Sequence, residues 1–412
     1  MPTPESQVRA ADSGQVAEPQ PSAEGLAPRL LFTGVVASIC VALIFGLQLG
    51  RLGFVSQAFA GGAVIYLLAR RPWREWLVVG AAALALWCIY WFSGAKVDPG
   101  RGGQVCLPAT FFGIASLVML AWRIASAPIS DRGRFLAILG DVTLLPGVCL
   151  VSAIAVEAAI RLSPLTRDSL LYAFDRALGF DASFATGRFF FAHWTSSLVC
   201  GFIYTCLPIT MGLVIGLQSR RRLPGSVDVR WAYVVLGAAG FLMYQLCPAA
   251  GPKYLAGDAF PYHPPSAASI VLAPVPIPSD VPRNAMPSLH VGWMLLVVYN
   301  CWRRSLATRV FALAALCFTV LATLGLGEHY LIDLIVVFPL TVAVQLGCQD
   351  LRGRLPWVAV CAGITVAWLV ALRSGTLART AQPLVLWTLI LATIAVTAVI
   401  ALRSSLRPAP RP

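Results

Sequence analysis

Long apolar runs separated by short arginine clusters constrain this chain more than any other feature of its sequence. Twelve runs stand out, near residues 30–49, 52–69, 76–93, 105–122, 135–160, 189–217, 231–250, 286–302, 310–326, 330–348, 356–372 and 383–402. A helix rises 1.5 Å per residue, so about 20 apolar residues cross a hydrocarbon core of roughly 30 Å. Hydrophobic residues make up 58% of the 412 positions and charged residues 12%, more apolar surface than a soluble domain of this size needs. Backbone polar groups inside a bilayer must be satisfied within the segment, which selects helices. The expectation is an all-α polytopic membrane protein with about 12 transmembrane helices.

The net charge of +13 raises the question of a nucleic-acid partner. Its placement argues against one, because the charges fill gaps between apolar runs instead of one basic surface. With the N-terminus cytoplasmic, the inner segments hold 20 of the 31 Lys and Arg, so the positive-inside rule puts both termini in the cytoplasm. Lysine occurs only at Lys96 and Lys253 beside 29 arginines, a bias that suggests a high-GC bacterial source. The implied location is a bacterial plasma membrane. Most of the eleven cysteines lie inside apolar runs, where they act as small hydrophobes, and none shows zinc-ligand spacing. Residues 1–28, rich in Pro, Ala, Ser and Glu, read as a disordered cytoplasmic tail. The remaining expectations are an N-terminal four-helix membrane module over 29–134, a six-helix catalytic core over 135–350, and a two-helix segment with a basic tail over 351–412.

Two outer segments are long. Ser163 to Arg188 sets Leu170, Leu171, Phe174 and Leu178 against Arg167, Asp168, Asp175 and Arg176 at roughly helical spacing, the pattern of an interfacial helix. Gly251 to Met286 carries eight prolines and is expected to be non-helical; ordered loops of that length are usually functional. Glu157 and Arg161, four apart, are expected to pair. Asp141 is expected to hydrogen-bond between helices. His193 and His263 stay outside the candidate site.

The chemistry concentrates at one face. His290 lies in Pro287-Ser288-Leu289-His290 and His329 in Glu328-His329-Tyr330-Leu331-Ile332-Asp333. Their separation of 39 residues is about 58 Å of helix, two crossings of the core, so both return to the same face. Lys253 and Arg283 flank the seventh and eighth spans at that level. His329 and Asp333 share one helix face, where the carboxylate can accept from Nδ1–H and leave Nε2 as nucleophile. Pro287 suits a first helical turn, and with the Ser288 hydroxyl the free N–H groups behind it form an anion site. His290, one turn further in, is placed to protonate a leaving alkoxide. Lys253 and Arg283 would hold nonbridging phosphate oxygens. Ionisable groups at membrane depth are costly, which favours a functional reading.

These segments resemble a known family. Pro248-Ala249-Ala250-Gly251-Pro252-Lys253, Arg283-Asn284-Ala285-Met286-Pro287-Ser288-Leu289-His290 and His329-Tyr330-x-x-Asp333 look like the three motif regions of the type 2 phosphatidate phosphatase superfamily. The likeness covers about 135 to 350, and the PSLH and HYxxD forms resemble the branch of inositol phosphorylceramide synthases (aureobasidin-resistance proteins) and sphingomyelin synthases. The resemblance implies a six-helix core and a phosphohistidine intermediate. It makes His329 the nucleophile, Asp333 its orienting group and His290 the general acid. Two cations of the wider pattern are missing: Phe260 stands where the first motif has Arg, and Thr323 where the third has one. Fewer positive charges suit a phosphodiester better than a phosphomonoester.

The function expected is transfer of a phospho-headgroup, inositol-phosphate-like, from a glycerophospholipid to a lipid or alcohol acceptor. The alternative is a phosphatase of the same superfamily, with water as acceptor. The partners are the membrane and a lipid phosphate or phospholipid substrate. No metal or other cofactor is expected, since two cations, a helix N-terminus and two imidazoles supply the charge stabilisation. A transporter or flippase would place its polar groups at the midplane, commonly in repeated halves. Here they gather at one face, with no evident repeat.

Overall fold

The computed structural model describes residues 53–69, 72–93, 100–223, 226–379 and 382–406. Apart from one two-residue ladder, the described residues form helices and the loops between them. The helices are α1 (Gly53–Leu68), α2 (Trp73–Phe92), α3 (Gly100–Ser126), α4 (Ile129–Leu162), α5 (Asp168–Ala177), α6 (Ala182–Ala192), α7 (Trp194–Thr205), α8 (Leu207–Arg220), α9 (Val229–Leu246), α10 (Leu289–Cys301), α11 (Leu306–Gly325), α12 (Leu331–Arg373) and α13 (Pro383–Leu406). The strands β1 (Leu165–Thr166) and β2 (Val275–Pro276) pair antiparallel, Leu165 opposite Pro276.

Among the described residues, seven helices are long and apolar enough to cross a membrane, or eight spans if the bent pair α7 and α8 counts as one. The chain is therefore an all-α integral membrane protein, and the differences from the expected runs have local causes. The first run, 30–49, lies outside the described residues. The second and eighth give helices of 16 and 13 residues, short of a full crossing. The sixth breaks by 47° at Cys206, where Pro208 enters the next helix without an N–H to give. The tenth and eleventh share α12, whose 43 residues would span about 65 Å if straight. Yet Trp368, Leu369 and Leu372 share a buried core with Ile332 and Val336, so the element folds back on itself at Asp350 (φ −164°, ψ 92°).

Close packing ties α1 to the bundle that carries the motifs. A Cβ on Gly212 of α8 would run into the backbone of Gly61 of α1, and one on Gly61 into the Pro208 carbonyl. Small residues let helix backbones approach in this way, gaining dispersion contact that lipid cannot replace. The 251–286 segment is largely irregular, as expected; it holds β2, two single 3₁₀ turns (Gly257–Ala259 and Ala267–Ser269) and one short helical turn, Pro252–Ala256, with Pro252 at its start, where the lost N–H costs nothing. Asp141, as expected, bridges helices: it accepts from Arg230 (2.8 Å) on α9 and Ser219 (2.7 Å) on α8.

Gly212→Val should lower the melting temperature in detergent by an amount equivalent to about 2 kcal/mol, from overpacking against backbone. Gly201→Ala, whose added Cβ meets nothing within 4 Å, should leave it unchanged; equal effects would refute the close α1–α8 contact.

Candidate active site

Two carboxylates and one hydroxyl from the interfacial helices assemble the motif segments. Asp168, at the start of α5 and fully buried, accepts from the backbone N–H groups of Ala250 (2.9 Å) and Gly251 (2.7 Å) and from the Tyr330 hydroxyl (2.9 Å). Asp175, two turns along α5, accepts from Leu331 N–H (2.6 Å) and Ile332 N–H (3.2 Å), the open N-terminal donors of α12. Ser183 of α6 donates to the His329 carbonyl (2.8 Å). Burial pushes both aspartates above the usual carboxylate range, and the donated N–H groups oppose that shift.

The first and third motif segments touch through backbone. Lys253 N–H donates to the Gly327 carbonyl at 3.1 Å. Gly251 (φ +112°) and Gly327 (φ +69°) occupy the left-handed region. A side chain on Gly251 would meet the Glu328 carbonyl, and one on Gly327 would meet the Lys253 side chain, so glycine is required at both. Lys253 forms an ion pair with Glu328, the neighbour of His329. Burial opposes charge on Lys253, but Glu328 outweighs it and holds the ammonium above the ordinary lysine value.

His329 is buried, with Nδ1 2.7 Å from the Ala285 carbonyl. A carbonyl only accepts, so Nδ1 carries the proton and Nε2 keeps its lone pair. Asp333 does not make the bond expected of it. It stands 3.5 Å from Nδ1 and caps the first turn of α12 through Tyr330 N–H (2.8 Å). The consequence for Nε2 is the same, but the direct orienting group is a backbone carbonyl. Burial drives the His329 pKa down to about 4, against Glu328 and the Ala285 carbonyl, which favour the charged form.

His290, in the first turn of α10, stacks on Tyr204 of α7 (centroids 4.0 Å apart) with Nδ1 3.1 Å from its hydroxyl. The Ser288 hydroxyl is buried and has no hydrogen-bond partner among the described residues. Ser288 is the N-cap of α10, so Pro287 lies just before the helix and not in its first turn. Residues 169–346 match the family model of the PAP2 superfamily. The chain carries a PAP2 domain. No curated protein and no solved structure matches the chain. The PAP2 domain suggests lipid phosphatase or phosphotransferase chemistry.

A cavity of about 460 Å³ lies between α4, α8, α9 and α10, with His290 but not His329 in its lining. Its lining combines apolar residues, among them Leu145, Val156, Met211 and Phe241, with His290, Tyr204, Tyr254, Asn284, Asp280 and Glu328. Arg283 does not line it, although Pro282 and Asn284 do. Its guanidinium, 1% exposed, donates to the carbonyls of Val281 (2.6 Å), Ile277 (2.8 Å), Pro278 (3.1 Å) and Ser163 (3.4 Å). The expected phosphate ligand is thus engaged as a clasp for the proline-rich loop. Phe260 packs at a tilt against Phe184 (centroids 5.1 Å apart) and close to Gly327, giving apolar contact where the wider motif has a cation.

Glu157 pairs with Arg161 (3.0 Å), as expected. His193 is exposed and bonds its own helix at the Phe189 carbonyl, and His263 is exposed on the loop. Sequence reasoning missed the inward role of Asp168, Asp175 and Ser183. The alternation over 163–188 signalled an amphipathic helix but could not tell a solvated carboxylate from one facing backbone donors.

Asp168→Ala strands three buried donors at roughly 1–3 kcal/mol each, so it should destabilise by about 3 kcal/mol or more in thermal unfolding. Asp168→Asn, which keeps an acceptor, should cost about half as much. A wild-type melting temperature for Asp168→Ala would rule out the clamp.

Proposed function

We propose that the protein is a lipid phosphotransferase working through a phosphohistidine on His329, with transfer of a phospho-headgroup to an alcohol acceptor. The observation carrying this reading is the scarcity of cations around the histidines. Phe260 and Thr323 replace two arginines of the wider pattern, and Arg283 spends its donors on four carbonyls. Lys253 is left, already balanced by Glu328. A phosphomonoester dianion would enter that field with little to offset its second charge, whereas a phosphodiester monoanion needs only one. The apolar cavity reaching His290 suits the lipid part of such a diester.

In the first step His329 Nε2 attacks phosphorus, the P–O bond to the lipid alcohol breaks, and His290 gives its proton to the leaving oxygen. The Ala285 carbonyl accepts from Nδ1–H throughout and steadies the charge that develops on the ring. Asp333, 3.5 Å away, caps the turn beside the same nitrogen. Lys253 and the Ser288 hydroxyl serve the nonbridging oxygens. In the second step the acceptor hydroxyl attacks phosphorus, His290 takes its proton, and the P–N bond breaks. Water in place of the acceptor gives the phosphatase reaction. The resemblance of the PSLH and HYxxD forms supports an inositol-phosphate-like headgroup, and the arginine distribution supports an extracytoplasmic site.

The test follows phosphorus-labelled phosphatidylinositol and phosphatidate with purified protein, with and without ceramide or diacylglycerol, beside His329→Ala. Label should pass into the acceptor lipid, the variant should lose at least about a thousandfold in rate, and a chelator should have no effect. Release of water-soluble phosphate regardless of acceptor would make the protein a hydrolase, and wild type matching His329→Ala on every substrate would remove His329 from the chemistry.

The depressed pKa of His329 fixes a pH signature. Nε2 is available above about 4 and is lost as pH falls through that value, so the acid limb of single-turnover phosphoenzyme formation should lie below pH 5. A limb at the ordinary histidine value of 6.5 would contradict a buried, neutral nucleophile.

A further inference from the structure

A second cavity, of about 470 Å³, lies at the other end of the bundle. His290 opens α10, whereas Asn300, ten residues and about 15 Å along the same helix, bonds Gln218 (3.2 Å), which lines this second space. Four arginines line it, Arg134 of α4, Arg220 at the end of α8, Arg222 just beyond and Arg230 of α9, against two carboxylates, Asp141 and Asp228. Both carboxylates are engaged by Arg230, at 2.8 Å from Asp141 Oδ1 through Nη1 and 2.8 Å from Asp228 Oδ1 through Nε. Arg134, Arg220 and Arg222 have no ion-pair partner within 4.0 Å among the described residues. The rest of the wall includes Leu68, Ala137, Ile138 and Ile215.

We infer that this cavity binds the phosphate of an anionic phospholipid from the leaflet opposite the PAP2 domain's histidines. Concentrated positive charge in a concave space selects an anion, and phosphate suits the planar donor forks of arginine. The apolar side of the same cavity, at the level where a helix end leaves the bilayer, selects an anion carrying acyl chains over a soluble one. Basic pockets between transmembrane helices commonly take lipid headgroups on this logic. Because Arg134, Arg220 and Arg230 stand on α4, α8 and α9, the helices that also line the catalytic cavity, a lipid here would clamp the frame of the distant site. The inference does not depend on which reaction that site performs.

Native mass spectrometry of the full chain from micelles of mixed phosphatidylglycerol and phosphatidylcholine tests it. Wild type should retain phosphatidylglycerol selectively, and R134Q/R220Q/R222Q should bind it roughly tenfold more weakly or worse, while R134K/R220K/R222K keeps most of the binding. Millimolar inorganic phosphate or glycerol 3-phosphate should not displace the lipid. Displacement would make this a soluble-anion site and overturn the inference, as would a folded glutamine variant that retains the lipid like wild type. If the triple variant does not fold, Arg134→Gln alone, on an exposed turn, decides: a severalfold loss is expected, and none overturns the inference.

Discussion

The Asp168 carboxylate is the interaction on which the catalytic end depends. It is fully buried, so its charge is expensive unless neighbouring donors replace water. Two backbone N–H groups of the first motif and the Tyr330 hydroxyl do so. A low-dielectric surrounding strengthens those bonds and penalises any arrangement that leaves one unmade. One side chain therefore holds the loop carrying Lys253 and the residue next to His329 in a single register. Asp175 and Ser183 extend this jig to the start of α12 and to the His329 carbonyl, so helices outside the spans set the position of groups at the ends of the spans.

Much of the architecture was legible in the sequence. Apolar run length, proline placement and the return of two histidines to one face follow from the size of a bilayer and the rise of a helix. The bend at Pro208 and the reversal at Asp350 were not legible as such, because run length reports burial in lipid and says little about direction. At the candidate site, residue type and spacing picked out the groups but not their partners. His329 and Asp333 have ideal spacing for a direct bond, yet the Ala285 carbonyl is nearer, and no pattern of side chains reveals a carbonyl. Arg283 looked like a phosphate ligand because it precedes the motif; its surroundings, a proline-rich loop with carbonyls lacking neighbouring N–H donors, claimed its guanidinium instead. Asp168 and Asp175 looked solvated because charged residues on amphipathic helices usually are.

The chemistry suits the low count of mobile cations. Negative charge near the histidines, in Glu328 and Asp280, disfavours a doubly charged ligand, and Lys253 is matched by a carboxylate. In the proposed reaction, attraction would come mostly from the apolar cavity and from directional donors, which would act on the lipid and on the transition state respectively.

The reversal of α12 links the site to the order of synthesis. Ile332 and Val336, on the turns that follow His329, are covered by Trp368, Leu369 and Leu372, with Leu386 and Ile390 of α13 beyond them. A nascent chain that has threaded every motif residue into the membrane still lacks the partners that pack the helix behind His329. The candidate site is fully packed only once residues 368–390 have arrived, so a chain that stops short of them carries all the motif side chains without their scaffold.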